Sequence, residues 1–172
     1  IAVDAAAFHG TGTNGQPLGI IGQSGIGSVA IGTNGGAPTW ASVVNLMREV
    51  EIDNALAGSL AYVTNPKVKA KLMTTAKQSS GVEGNFILQD PSNLNGYRFE
   101  ATQQISSALT KGSSSGVCSA MFFGVWSDLL IGQWSGIDLL VDPYTGSNAG
   151  TTRVTAFIDL DIAVRYPESF AA

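Results

Sequence analysis

Charge is what this sequence is shortest of. Of 172 residues, nine are Lys or Arg and thirteen are Asp or Glu, 13% in all, against about 25% in ordinary soluble domains. A surface with so little repelling charge suits contact between uncharged faces of several copies. The net charge is -4, and the basic residues form no dense run beyond Lys67, Lys69 and Lys71. Direct nucleic-acid recognition therefore lacks its electrostatic footprint. There is one cysteine and one histidine, which excludes a disulfide framework and every standard zinc spacing. Cys118, in the apolar-leaning stretch 117–125, reads as a buried free thiol. No apolar run reaches eighteen residues, no basic start leads into an apolar core, and no Asn-x-Ser/Thr site occurs. Membrane insertion and secretion have no support from these features.

Glycine, by contrast, is abundant, with 21 residues. The length fits one domain, or one compact body with a small lobe. Helix seems already under way over residues 1–8, which reads as the tail of a helix beginning upstream and the chain as a piece of a longer product. Over 10–36 glycine recurs every two to five residues among Thr, Asn and Ser, a density that excludes helix and favours turns with short strands. Pro38 and Thr39 then signal a helix start. Trp40, Val43, Val44, Met47 and Val50 recur on one helical face, with Ser42, Asn45, Arg48 and Glu49 on the other, to about Asn54.

Residues 60–64 read as a buried strand, and Asn65-Pro66 opens a second helix to about Ala76, with Asn as cap and Pro at the first helical position. Lys67, Lys69 and Lys71 near its start oppose the helix dipole, so an acidic neighbour or a solvated face is expected around them. A break at 81–84, a short strand at 86–88, a turn-rich loop at 90–96 and a strand at 97–102 follow. Residues 111–116, with three consecutive serines, read as a flexible loop tip. Strands near 119–126, 128–134 and 137–141 lead to the turn Asp142-Pro143-Tyr144-Thr145-Gly146.

The last segment alternates most cleanly. Val154, Ala156, Ile158, Leu160, Ile162 and Val164 interleave with Arg153, Thr155, Phe157, Asp159, Asp161, Ala163 and Arg165, a period of two that implies a core face and a mostly polar face. At about 3.3 Å per residue this single strand would run roughly 40 Å. Residues 128–142 are its natural antiparallel partner, so an extended β-arm is expected on an α+β body.

Chemistry finds few footholds. Gly10-Thr11-Gly12-Thr13-Asn14-Gly15 matches the dinucleotide-binding Gly-x-Gly-x-x-Gly, but Gln16-Pro17-Leu18-Gly19 cannot open the helix that pattern requires. Gly22-Gln23-Ser24-Gly25 has its last glycine misplaced for a nucleophile elbow, and His9 alone is present to act as base for any serine or for Cys118. Asp159 and Asp161 share a strand face, where acid/base work or a hard cation competes with a solvated or ion-paired surface. No catalytic, cofactor-binding or metal-binding residues are assigned, and the chain is expected not to be an enzyme.

With these pieces in order, the chain resembles the major capsid protein of tailed bacteriophages and prophages, with the Hong Kong 97-type fold. Ala5-Ala6-Ala7-Phe8-His9-Gly10-Thr11-Gly12 through Gln16-Pro17-Leu18-Gly19-Ile20 is similar to the family's helix end and turn. Tyr62-Val63-Thr64-Asn65-Pro66 resembles its strand-Asn-Pro-helix, and Leu94-Asn95-Gly96-Tyr97 its Leu-x-Gly-x turn. Phe122-Phe123-Gly124-Val125-Trp126 resembles its Phe-Gly-Asp strand, with Val125 where many members have Asp. Arg165-Tyr166-Pro167-Glu168-Ser169-Phe170 is like its C-terminal ending. The N-terminal arm, the extended loop and most of the spine helix have no counterpart here, so Asn148 is assigned no role in the Lys-Asn cross-link of some members.

The resemblance implies an axial domain over 36–130 and a peripheral domain shared between 1–35, the spine-helix end and its loop, and 131–172, the long β hairpin and C-terminus. It implies a homo-oligomer: pentamers and hexamers of an icosahedral head enclosing DNA, meeting through loops such as 81–84 and 111–116, with the β-arm against a neighbouring subunit. The isolated chain is expected to stay monomeric. Scaffold, maturation protease and portal proteins are implied partners, with no specific nucleic-acid contact and no membrane. The implied location is the virion, and the host cytoplasm before assembly. An encapsulin-type shell shares the fold and stands as the alternative. A β-rich adhesin or lectin-like module explains the Gly/Thr/Asn richness but not the two helices.

Overall fold

The computed structural model describes residues 2–78 and 85–172. Helix α1 (Ala2–His9) ends as the glycines begin. The Gly10 amide still donates to Ala6 O at 2.8 Å, and Gly19 N returns to Gly10 O at 3.0 Å. A Cβ on Gly10 would lie 2.0 Å from Pro17 O, and one on Gly19 2.5 Å from Gly10 N. Only glycine lets these strands of loop touch backbone to backbone. Beyond them the segment to Gly36 holds one 3-10 turn, Ile20–Gly22, and otherwise no regular element.

Helix α2 (Trp40–Ile52) starts at Thr39 through reciprocal bonds: Ser42 N donates to Thr39 Oγ1 at 3.2 Å and Thr39 N to Ser42 Oγ at 3.0 Å. This corrects two sequence expectations. Ser42, read as solvent-facing, is buried because its hydroxyl closes the cap, and Leu46, left off the apolar face, joins Val43 and Val50 in the core. Their spacing of three and four is the true helical stripe.

Strand β1 (Leu60–Thr64) leads straight into α3 (Pro66–Thr74). The buried Asn65 accepts from Val68 N at 2.9 Å and donates through Nδ2 to Ser106 O at 3.2 Å, so one side chain caps a helix and pins a distant loop. Lys67 Nζ donates to Val117 O at 2.7 Å. Its partner is a backbone carbonyl, not the acidic side chain entertained from the sequence.

The strand expected at 86–88 does not form. Phe86 makes one bridge, to Ala76, while the amides of Ile87 and Leu88 donate to Thr75 O and Leu72 O. The carbonyls orphaned at the end of α3 take these amides before a sheet can. The break read at 81–84 lies outside the described residues. Strands β2 (Asn93–Leu94) and β3 (Tyr97–Ala101) join through Asn95-Gly96, both at positive φ, the turn that suits a two-residue hairpin.

The loop tip expected at 111–116 is instead a hairpin of β4 (Leu109–Lys111) and β5 (Ser114–Cys118). Asn34 holds it: Ser113 N donates to Asn34 Oδ1 at 3.0 Å. Then come β6 (Met121–Val125), β7 (Leu129–Gln133), β8 (Asp138–Asp142), β9 (Arg153–Phe157), β10 (Leu160–Val164) and β11 (Phe170–Ala171).

Five of these strands form the central sheet in the order β11-β6-β1-β3-β2, with β1 parallel to β3 and antiparallel to β6. Alternation sends Tyr62, Phe99 and Phe123 to one face, under α2 and α3, and Phe122 and Val63 to the other, with Phe8 of α1, Ile20 and Phe170. Tyr62 and Phe123 stack with ring centroids 4.3 Å apart. Tyr62 Oη donates to Val43 O at 3.0 Å, and burial pushes its pKa up to about 12. The C-terminus closes the sheet: Gly27 N donates to Phe170 O and Ala172 N to Gly27 O, each at 2.9 Å.

Candidate functional site

The β-arm departs from its expected form in two ways. The single long strand is two, because four residues, 134–137, stand opposite two, 158–159, between the paired segments. Leu160 pairs with Gln133 while Phe157 pairs with Asp138, so the register slips by two residues and the in-out phase survives. Trp134 N donates to Asp159 O, and Asp159 N to Ser135 Oγ, each at 3.0 Å, holding the break in place. Gly132 allows the Trp134 indole to lie flat against the strand, within 3.0 Å of where a Cβ would stand.

The second departure is burial. Residues opposite one another in an antiparallel ladder share a face. Leu139 with Ala156 and Val141 with Val154 therefore form one face of β8–β9, without a polar side chain. That face, expected in the core, is bare: Leu139 is 66%, Val141 58% and Val154 61% exposed, while on β10 Ile162 is 4% exposed. The opposite face mixes Asp138, Leu140, Asp142, Arg153, Thr155 and Phe157. The ribbon is apolar where its own chain does not cover it.

Its tip is stiffened by Asp142, whose carboxylate accepts from Tyr144 N at 2.8 Å, from Thr145 N at 3.2 Å and from the Thr145 hydroxyl. The Thr145 hydroxyl first, then the Tyr144 amide, holds the Asp142 pKa below the usual carboxylate range. Thr151 N closes the loop onto Gly146 O at 3.1 Å.

A second feature is a groove of about 770 Å³ between the 26–38 segment, α3 and the β4–β5 hairpin. Its floor is largely apolar, with Ile26, Val29, Leu109 and Met121, and Lys67, Lys71 and Lys111 stand along it. Cys118, expected as a buried thiol, is only half-buried here, with Sγ 3.9 Å from Asn34 O. Sequence reading missed the groove, although the Ser/Gly hairpin and the glycine-rich segment that frame it were both visible.

The chemical candidates are not brought together. His9 Nε2 accepts from the Ser106 amide at 3.1 Å, a backbone donor and not a hydroxyl or thiol. Its Nδ1 is buried without a hydrogen-bond partner among the described residues, and burial pushes its pKa below the ordinary 6.5. The six glycine-motif residues from Gly10 to Gly15 turn back through Pro17 without opening a helix, and Ser24 follows the 3-10 turn. Asp159 lies in the break and Asp161 on β10, its Oδ1 accepting from Ile162 N at 2.8 Å. Among the described residues no group of three or more His, Cys, Asp or Glu is arranged to hold a metal ion, and no helix is long and apolar enough to cross a membrane.

A family model described as the phage capsid family matches residues 2–172. The chain belongs to the phage capsid family. It is 26% identical over 171 residues to the major capsid protein of Halomonas phage phiHAP-1, covering 99% of this chain and 26% of that relative. Among solved structures it is similar to the capsid of a native GTA particle computed with C5 symmetry, with TM-score 0.70 and 18% identity over 99% of this chain and 59% of the other. It is also similar to a structure from Mycobacterium phage Ogopogo, with TM-score 0.68, 16% identity, and coverage of 99% and 61%. The phage capsid family chain thus has the expected α+β, Hong Kong 97-type fold. It spans about a quarter of the curated relative and about three-fifths of these structural neighbours. Membership in this family points to a structural role.

Proposed function

We propose that this chain is the assembling portion of a phage major capsid protein, whose work is to tile with its own copies into pentamers and hexamers of a DNA-enclosing head. The observation that carries the reading is the bare apolar face of β8–β9. Leu139, Val141 and Val154 stand largely in solvent on a two-stranded ribbon, an arrangement of marginal stability by itself and typical of a surface awaiting a partner. In this reading 36–130 is the axial domain, and 1–35 with 131–172 form the peripheral domain. Copies meet through the ribbon and through loops such as 111–116. Scaffold, maturation protease and portal proteins are the further partners, and the protein passes from the host cytoplasm into the virion.

An encapsulin-type shell would share this fold, and no observation favours it over a phage head. Nor does any favour an adhesin. Electron microscopy of the full-length product tests the proposal. Closed shells or ring-shaped capsomers are the expected result, and a product that stays monomeric under every assembly condition overturns it.

A further inference from the structure

The shell reading leaves open where the ribbon docks, and charge points to an answer. From Asp128 to the C-terminus the chain carries six acidic and two basic side chains, whereas residues 36–127 carry six acidic and seven basic. Every lysine lies between Lys67 and Lys111. The acidic excess is therefore concentrated in the segment that builds the ribbon, and all the lysines belong to the body. Three of them, Lys67, Lys71 and Lys111, stand along the apolar groove.

Resting on the shell reading, we propose that the β8–β9 ribbon of one copy docks into the lysine-lined apolar groove of the next copy. Two features are complementary at once. The ribbon's apolar face, Leu139, Val141, Val154 and Ala156, is bare, and the groove offers an open apolar floor beside the exposed Val117. Asp138, Asp142 and Asp159, exposed or half-exposed on the ribbon, lie within the range over which rim charges steer encounter and set register. The contact is head to tail: different patches meet, so each copy keeps a free ribbon at one end and a free groove at the other. Interfaces of that kind close into rings when the rotation allows. A self-complementary contact of ribbon with ribbon would stop at pairs.

The groove contains its own reporter. Cys118 lines it and is the sole cysteine of this chain, so a thiol placed on the ribbon's apolar face should meet it across the interface. The full-length product carrying Val141→Cys, or Leu139→Cys in case the first fails to assemble, is allowed to assemble and is oxidised with diamide, which takes up the two electrons and two protons released as the disulfide forms. A ladder of linked dimers, trimers and larger species is expected on non-reducing gels. Adding Cys118→Ser should abolish it, and Thr155→Cys on the opposite face should give at least about fivefold less. Reversing the charges gives a second readout. Asp138→Lys with Asp142→Lys, and separately Lys67→Glu with Lys111→Glu, should each slow assembly about tenfold at low salt and much less at high salt. The combined variant should recover. If particles form without the ladder, or the linkage appears within single subunits, the docking is overturned while the shell reading stands. If no particle or capsomer forms from the unmodified protein, both fall.

Discussion

In the central sheet, Tyr62, Phe99, Phe122 and Phe123 are wholly buried, each between two layers of its own chain; in the β8–β9 ribbon, side chains just as apolar lie open. Both regions alternate with a period of two, and both pair antiparallel neighbours. They differ in what lies above and below. The sheet has α2 and α3 on one face and α1 with Ile20 and Phe170 on the other, whereas β8 and β9 pack mainly on each other. Alternation therefore records that a face meets something apolar, and is silent on whether that something belongs to the same chain. A short charge inventory lets both kinds of face exist in one molecule.

The comparison breaks if the sheet proves dispensable. Phe123→Ala, removing a ring stacked on Tyr62 and on Tyr97 at 5.1 Å, should cost about 3–5 kcal/mol. Urea or thermal unfolding of the chain would measure it, and a loss under about 1 kcal/mol would mean the two-layer core does not hold the body together. Next in size is Gly10→Ala. Its new methyl would sit 2.0 Å from Pro17 O and 2.6 Å from Ala6 O, both backbone, so the turn joining α1 to the sheet must open at a cost of about 2 kcal/mol or more. Unchanged stability would show that this turn has room to yield.

A smaller effect sharpens the contrast through pH. His9 joins α1 to the 102–108 loop by accepting from Ser106 N, and its burial holds the folded-state pKa below 6.5. The folded state thus binds its proton less readily than the unfolded chain. Stability should be full above pH 6.5 and decline as pH falls through that value, levelling off below the folded pKa. Unfolding curves between pH 7.5 and 5 test this, and a His9→Gln variant, unable to titrate, should lose that part of the slope. No titratable residue lies on the 102–108 loop or on β6; Asp4, on the same helix and exposed, is the nearest charge in sequence. Nothing comparable holds the ribbon, whose Asp142 carboxylate is solvent-facing.

Much of the body was legible because local chemistry decided it. Thr39 and Asn65 cap the helices they were read as capping, Leu60–Thr64 is a strand, and Asn95-Gly96 turns as its residue types demand. What was missed depended on partners distant in sequence. Asn34 turns the serine-rich tip into a hairpin from 79 residues away, and α3's loose carbonyls capture Ile87 and Leu88 before they can extend. The slip at 134–137 is invisible in the alternation because a two-residue shift preserves phase. The candidate surface was legible as a pattern, but its exposure was not, since periodicity cannot distinguish a core face from a contact face.

The smallest expected effect is the one that separates the two regions most cleanly. Leu139→Ser together with Val141→Ser removes two large apolar side chains, a change that in the sheet would rival Phe123→Ala. On the ribbon both residues already face solvent at 66% and 58% exposure, so little area returns to water on unfolding and stability should move by no more than about 0.5 kcal/mol. Backbone pairing with β9 is untouched, because serine keeps both the amide and the carbonyl of each rung. The same pair should leave the isolated chain more soluble and the full-length product unable to form capsomers, read by sedimentation. A stability loss of several kcal/mol would mean the ribbon's apolar face is covered within its own chain after all, and the distinction between the two regions would vanish.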